Sequence, residues 1–194
     1  MNDYKDPDYW EYFAELVYVE PPEHGVLTTY NFHAAFLNWH DCHGTQKIPP
    51  FHKMNPIQKF IHLMNQTPGG LAIIMTPPNN NEDRIIKEVQ LISSNFKNIQ
   101  FLWNDHNHTK MLFLAYKDHH RIWNGSQNFH GSNSKQKYHE MMTEVTKEET
   151  KQCEKLVKHL VDESYLNEPS GSSIEITRNT SSLGKTDKLH TPCQ

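Results

Sequence analysis

Over residues 3–20 the apolar side chains Tyr9, Trp10, Phe13, Leu16 and Val17 fall at helical spacing, and Pro21 and Pro22 stop the helix they predict. A glycine followed by β-branched and aromatic residues predicts a strand over 25–32. Residues 33–39 form a second helix-compatible run with Ala34, Ala35, Phe36 and Leu37, and the prolines of 41–56 predict a loop. Ile57, Phe60, Ile61 and Met64 mark a helix over 57–65, punctuated by Gly69 and Gly70. The unbroken apolar run 71–76 has the character of a strand buried on both faces. After a turn over 77–81, Ile85, Ile86, Val89, Ile92 and Phe96 form the clearest helical stripe, over 82–96. A second buried strand is expected over 99–103. Residues 109–116 and 121–123 predict two strands joined by the polar turn Lys117-Asp118-His119-His120. A short strand over 141–145 and a charged helix over 147–165, apolar at Cys153, Leu156, Val157, Leu160 and Val161, complete the pattern. Strands alternating with helices predict an α/β fold: a mixed β-sheet flanked by helices.

Composition sets the limits of this picture. The chain has 194 residues, 36% of them hydrophobic, with a mean hydropathy of −0.79, which suits one domain with peripheral sequence. The expected division is an N-terminal extension (1–24), the domain itself (25–146), a C-terminal helix (147–167) and a disordered tail (168–194) rich in Ser, Thr and Gly. A formal net charge of −4 offers no general attraction to nucleic acid or anionic membranes, so any phosphate-binding surface has to be local. Cys42, Cys153 and Cys193 are far apart and odd in number, which predicts neither a disulfide framework nor a cysteine zinc site. No run nears the ~20 apolar residues of a membrane span. The first residues lack a basic stretch followed by an apolar core, so a cytoplasmic protein is expected.

The chemistry concentrates between residues 105 and 129. His108 and Lys110, two apart at the start of an expected strand, would share a face. Gly125-Ser126-Gln127-Asn128 follows the return strand, and Ser126 and Asn128 share a parity. If the two strands pair, all four side chains can meet at one end of the sheet. Such a set suits a phosphodiester. A neutral imidazole is a nucleophile near pH 7, Lys110 supplies positive charge, and Ser126 and Asn128 supply neutral donors to the non-bridging oxygens.

His108-x-Lys110 followed by Gly125-Ser126-x-Asn128 resembles the HxKx4D…GSxN signature of the phospholipase D superfamily. The likeness covers roughly residues 25–145 and includes the order of strands and helices leading into the motif. By length and single motif the chain looks like the small bacterial endonucleases of that superfamily. The resemblance implies a homodimer in which two motifs build one active site. One histidine would attack phosphorus to give a phosphohistidine, and the other would protonate the leaving group. It implies no metal and no other cofactor, and a nucleic acid, DNA or RNA, as substrate. Counted forward from Lys110, the family aspartate falls at Ala115; counted back from Ser126, it falls at Asp118. Glu140 resembles the acidic residue that buttresses the nucleophilic histidine in single-motif relatives. Two alternatives stand beside the nuclease: a lipid phosphodiesterase, and a catalytically impaired module that binds nucleic acid or protein.

Other groups carry less. His33, His40, Asp41, Cys42 and His43 include zinc-ligand types, but a closed site wants about four ligands and no second cluster accompanies them. The tripeptide His106-Asn107-His108 is read as coincidence, and His119 and His120 as a solvated hairpin tip. Lys53, Lys59, Lys97, Lys135 and Lys137 are scattered and read as solvated. Trp103 and Trp123 are read as core.

Overall fold

A computed structural model describes residues 8–30, 48–77, 83–125 and 142–165. Among them it contains a six-stranded mixed sheet and four α-helices. The elements are α1 (Asp8–Val19), β1 (His24–Thr29), α2 (Pro56–Gln66), β2 (Leu71–Met75), α3 (Asp83–Asn95), β3 (Ile99–Trp103), β4 (Met111–Ala115), β5 (His120–Gly125), β6 (Met142–Glu144) and α4 (Lys147–Glu163). The strand order is β3-β2-β1-β4-β5-β6. The first three are parallel, and β4, β5 and β6 add antiparallel to β1 and to one another.

Alternation along each strand sorts its side chains into two cores. Leu27, Ile73, Phe101, Leu112, Leu114 and Trp123 face the layer that α1, α2 and α3 contribute. Val26, Ala72, Ile74, Leu102, Phe113 and Ile122 face Val157 and Leu160 of α4. Burial on both faces explains the unbroken apolar runs of β2 and β4. Residues 8–19, which composition sets apart as an extension, send Tyr9, Trp10 and Phe13 into the larger core at 1–2% exposure.

Local chemistry marks the element ends. Asn55 and Gln58 form a reciprocal capping box at the start of α2, with Pro56 in its first turn, so this helix begins inside the expected loop 41–56. Thr146 and Glu149 do the same for α4. Gly70 has φ +64°, and a Cβ there would sit 1.8 Å from the Asn98 carbonyl oxygen, so the turn into β2 demands glycine.

Three expectations need correcting. The buried face of α3 runs through Ile85, Glu88 and Ile92 and continues to Phe96 just past its end, while Ile86 and Val89 are only half-buried. A carboxylate occupies the stripe, which a hydrophobic periodicity cannot register. His120 is not a solvated hairpin residue: it opens β5 and its Nδ1 lies 2.5 Å from Glu154 Oε1 on α4. β4 begins at Met111 rather than 109, for a reason that belongs to the site. The cluster of His33, His40, Asp41, Cys42 and His43, and the residues beyond 165, lie outside the described residues.

Candidate active site

The carboxyl ends of β1, β2 and β3 share one edge of the sheet, and β4 starts there. β1 stands where the direction of connection changes, with parallel β2 on one side and antiparallel β4 on the other. In open α/β sheets the crevice outside the carboxyl ends at such a point is the usual ligand site.

Residues 104–110 cross this edge from β3 to β4, and two buried asparagines fix them. The Asn104 N–H donates to the Met75 carbonyl at 2.9 Å, and its side-chain oxygen accepts from the His106 N–H at 3.0 Å. The Asn107 side-chain amide donates to the Thr29 carbonyl at 3.0 Å and to that of Ile74 at 3.4 Å. Its oxygen accepts from the Thr109 N–H at 3.0 Å, and the Thr76 hydroxyl donates to its carbonyl at 3.0 Å. Each asparagine closes a turn two residues on. This is why the ladder starts late: before residue 110 the His106 and Thr109 N–H groups bond side-chain oxygens instead of a neighbouring strand.

His108 and Lys110 leave this loop on its solvent side. Lys110 Nζ lies 3.1 Å from both His108 Nδ1 and the His108 carbonyl oxygen. An ammonium donates and cannot accept, so Nδ1 holds the lone pair and the imidazole proton belongs on Nε2. Tyr30, the residue after β1, completes the group. Its ring centroid is 4.7 Å from that of His108, and Lys110 Nζ is 5.6 Å from it, within cation–π reach.

The expected pair therefore meets, although just before β4 rather than within it. The two motif strands also pair, and the Gly125 N–H donates to the Lys110 carbonyl at 3.2 Å, which extends the β4–β5 ladder by one residue. Ser126, Asn128 and Glu140 lie outside the described residues. Asp118 is exposed in the turn beyond β4, roughly 15–20 Å of strand away from Lys110, and one chain does not bring the two together. Ala115 is buried at the far end of β4, in the core facing α4. Trp103 and Trp123 are core residues as expected. The sequence reading missed Asn107 and Asn104, because a polar residue in a loop reads only as a turn former.

Other polar groups are committed elsewhere. Arg121 makes two hydrogen bonds to the Glu144 carboxylate, at 2.8 and 3.1 Å, and a third to the Tyr12 hydroxyl at 2.8 Å. The Glu144 bond raises its pKa further, so it is a fixed cation that ties α1, β5 and β6 together. At the far end of the sheet, burial lowers the pKa of His24; His120 lowers it further and Glu23 opposes. Among the described residues no three His, Cys, Asp or Glu side chains are placed to hold a metal ion. A groove of about 360 Å³ between α1 and α2, lined in part by Glu11, Tyr18, Phe51 and Lys59, does not include His108 or Lys110.

No protein-family profile matches the chain, and no curated protein matches it either. No helix among the described residues is long and apolar enough to cross a membrane.

Proposed function

We propose that the chain is a phospholipase-D-like, metal-independent phosphodiesterase, a nuclease that cleaves DNA or RNA as a homodimer. The observation that carries this reading is the Lys110 ammonium 3.1 Å from the His108 imidazole, on the open carboxyl edge of the sheet. The pairing of β4 with β5 supports it, because Gly125, bonded to Lys110, immediately precedes Ser126 in the chain.

On this reading Lys110 binds a non-bridging phosphate oxygen. A ring nitrogen of His108 forms a bond to phosphorus, and the bond from phosphorus to the leaving oxygen breaks as His108 of the partner subunit supplies its proton. Water then cleaves the phosphorus–nitrogen bond and restores the imidazole. Two requirements follow from the geometry. In the unliganded arrangement Lys110 occupies the His108 Nδ1 lone pair and the other nitrogen carries the proton, so an incoming phosphate has to draw the ammonium away before attack. The ladder places Lys110 opposite Gly125, and opposed residues project to the same face. A regular strand continued past Gly125 would turn Ser126 and Asn128 to the other face. Their convergence with His108 requires the strand to end there.

Single- and double-stranded DNA and RNA incubated with protein in excess EDTA test the proposal, with phosphatidylcholine as the lipid arm. Nucleic acid should be cut, and His108→Ala should reduce cutting by about 10³-fold or more. Undiminished cutting by His108→Ala, or cutting abolished by EDTA, overturns it. A catalytically impaired binding module is the second reading. It is favoured by the buried Ala115 at one of the two positions for the family aspartate, and by the cation, rather than a carboxylate, on His108 Nδ1.

A further inference from the structure

Tyr30 has no part in the chemistry just described, yet its ring lies against both members of the pair. It stands at the carboxyl end of β1, is 38% exposed, and touches both groups of the candidate pair, His108 by its ring and Lys110 by its face. The buried tyrosines and tryptophans of the larger core, Tyr9, Trp10, Trp103, Tyr116 and Trp123, are 1–7% exposed, whereas Tyr30 is open to solvent as Tyr18, Phe51 and Tyr165 are, and alone among these four lies against the pair. An exposed ring beside a phosphate-binding cation is the arrangement by which proteins hold unpaired nucleotides, the cation taking the backbone and the ring a base. The net charge of −4 offers a polyanion no general attraction. Counterion release comes from each local cation–phosphate contact, so affinity has to come from Lys110 on the phosphate together with contacts such as stacking.

We infer that Tyr30 is a base-stacking platform and that the site takes single-stranded nucleic acid, with a base next to the bound phosphate lying on the Tyr30 ring. This rests on the phosphate-binding reading of His108 and Lys110. In a duplex each base is already stacked between neighbours and paired, so a platform at the sheet edge reaches it only after unpairing. Stacking is tolerant of base identity, so the platform confers preference for single strands rather than for a sequence.

The test is equilibrium binding, by fluorescence anisotropy in EDTA, of labelled oligonucleotides of about 12 nucleotides. Single-stranded DNA, single-stranded RNA, duplex DNA and an abasic single strand are compared on the full chain, on Tyr30→Ala and on Tyr30→Phe. Tyr30→Ala should weaken single-strand binding about 10-fold, Tyr30→Phe should retain it, and the abasic strand should bind the parent chain as weakly as Tyr30→Ala binds the intact strand. The DNA and RNA arms show which sugar is preferred. Equal losses on intact and abasic strands would assign Tyr30 to holding His108 and Lys110, and would overturn the inference. So would no loss at all, no binding by the parent chain, or duplex bound as tightly as single strand. Tyr30-dependent binding without His108-dependent cutting would sink the hydrolytic reading and leave the platform standing; the reverse pattern would do the opposite.

Discussion

Asn107 donates its side-chain amide to the backbone carbonyl of Thr29 across 3.0 Å, and so fastens the segment that carries His108 to the end of β1. The same side chain accepts from the Thr109 N–H, one residue beyond His108. Asn107→Ala removes a buried donor and acceptor together and takes a hydrogen bond from three backbone groups, the Thr29 and Ile74 carbonyls and the Thr109 N–H. It should cost about 1–3 kcal/mol, read as a lower urea midpoint at unchanged slope. Asn107→Asp should be worse at neutral pH, because a carboxylate would face the Thr29 and Ile74 carbonyls with no proton to give. An unchanged midpoint for Asn107→Ala would show that the segment is held by other means.

The contrast between Asn107 and its neighbours explains how much of the molecule could be read beforehand. β2 and β3 announce themselves as apolar runs because each is buried on both faces. The helices α1 and α2 announce themselves by periodicity, the α/β layering follows from the alternation of elements, and the antiparallel β4–β5 pair from the short polar turn between them. Glu88 escapes because a carboxylate on a buried helix face leaves no hydrophobic signal, and His120 because its partner, Glu154 on α4, is distant in sequence. The late start of β4 escapes for the same reason: the Asn107 contacts span 78 and 33 residues. The pairing of His108 with Lys110 was legible from a two-residue spacing, although loop geometry rather than strand geometry delivers it.

The contact between Lys110 and His108 makes a prediction independent of turnover. The ammonium on Nδ1 leaves the imidazole proton on Nε2. Nitrogen-15 spectra of neutral His108 should therefore show the Nε2–H tautomer alone, and Lys110→Met, which removes the donor, should let the Nδ1–H tautomer appear beside it. Inorganic phosphate added to the parent chain should shift the His108 signals as Lys110 turns to the anion, and should leave those of Lys110→Met in place. A tautomer indifferent to Lys110 would contradict the proposed resting arrangement.

Gly70 supports the site from a distance by setting the entry to β2. An alanine Cβ would meet the backbone oxygen of Asn98 at 1.8 Å, and φ is +64°. Gly70→Ala should destabilise by about 2–4 kcal/mol. The obstructing atom belongs to the backbone, so a second substitution, Asn98→Gly, should not restore the loss; it removes only the side chain that a Cβ would also touch. A melting temperature within a degree or so of the parent would show that the turn can relax.

The pH dependence of stability should carry the mark of two histidines. Burial is the first cause that lowers the pKa of His24 and the cause that lowers that of His62, both below 6.5 in the folded protein. Unfolded, each returns to its ordinary value. Between the two values the unfolded chain binds more protons, so stability rises with pH there. The contribution is fully present above about 6.5, falls as the pH drops through that value, and levels off once the folded pKa is passed. Urea midpoints taken from about pH 7.5 down to about 5.5 should decline, and the double variant His24→Gln, His62→Gln should flatten the decline. An identical decline in the double variant would assign it to other groups. The charge of His120 is the second cause at His24, and Glu23 works against both. His120→Gln should therefore flatten the profile in part, by letting the folded His24 pKa rise toward its ordinary value. Glu23→Gln should steepen it.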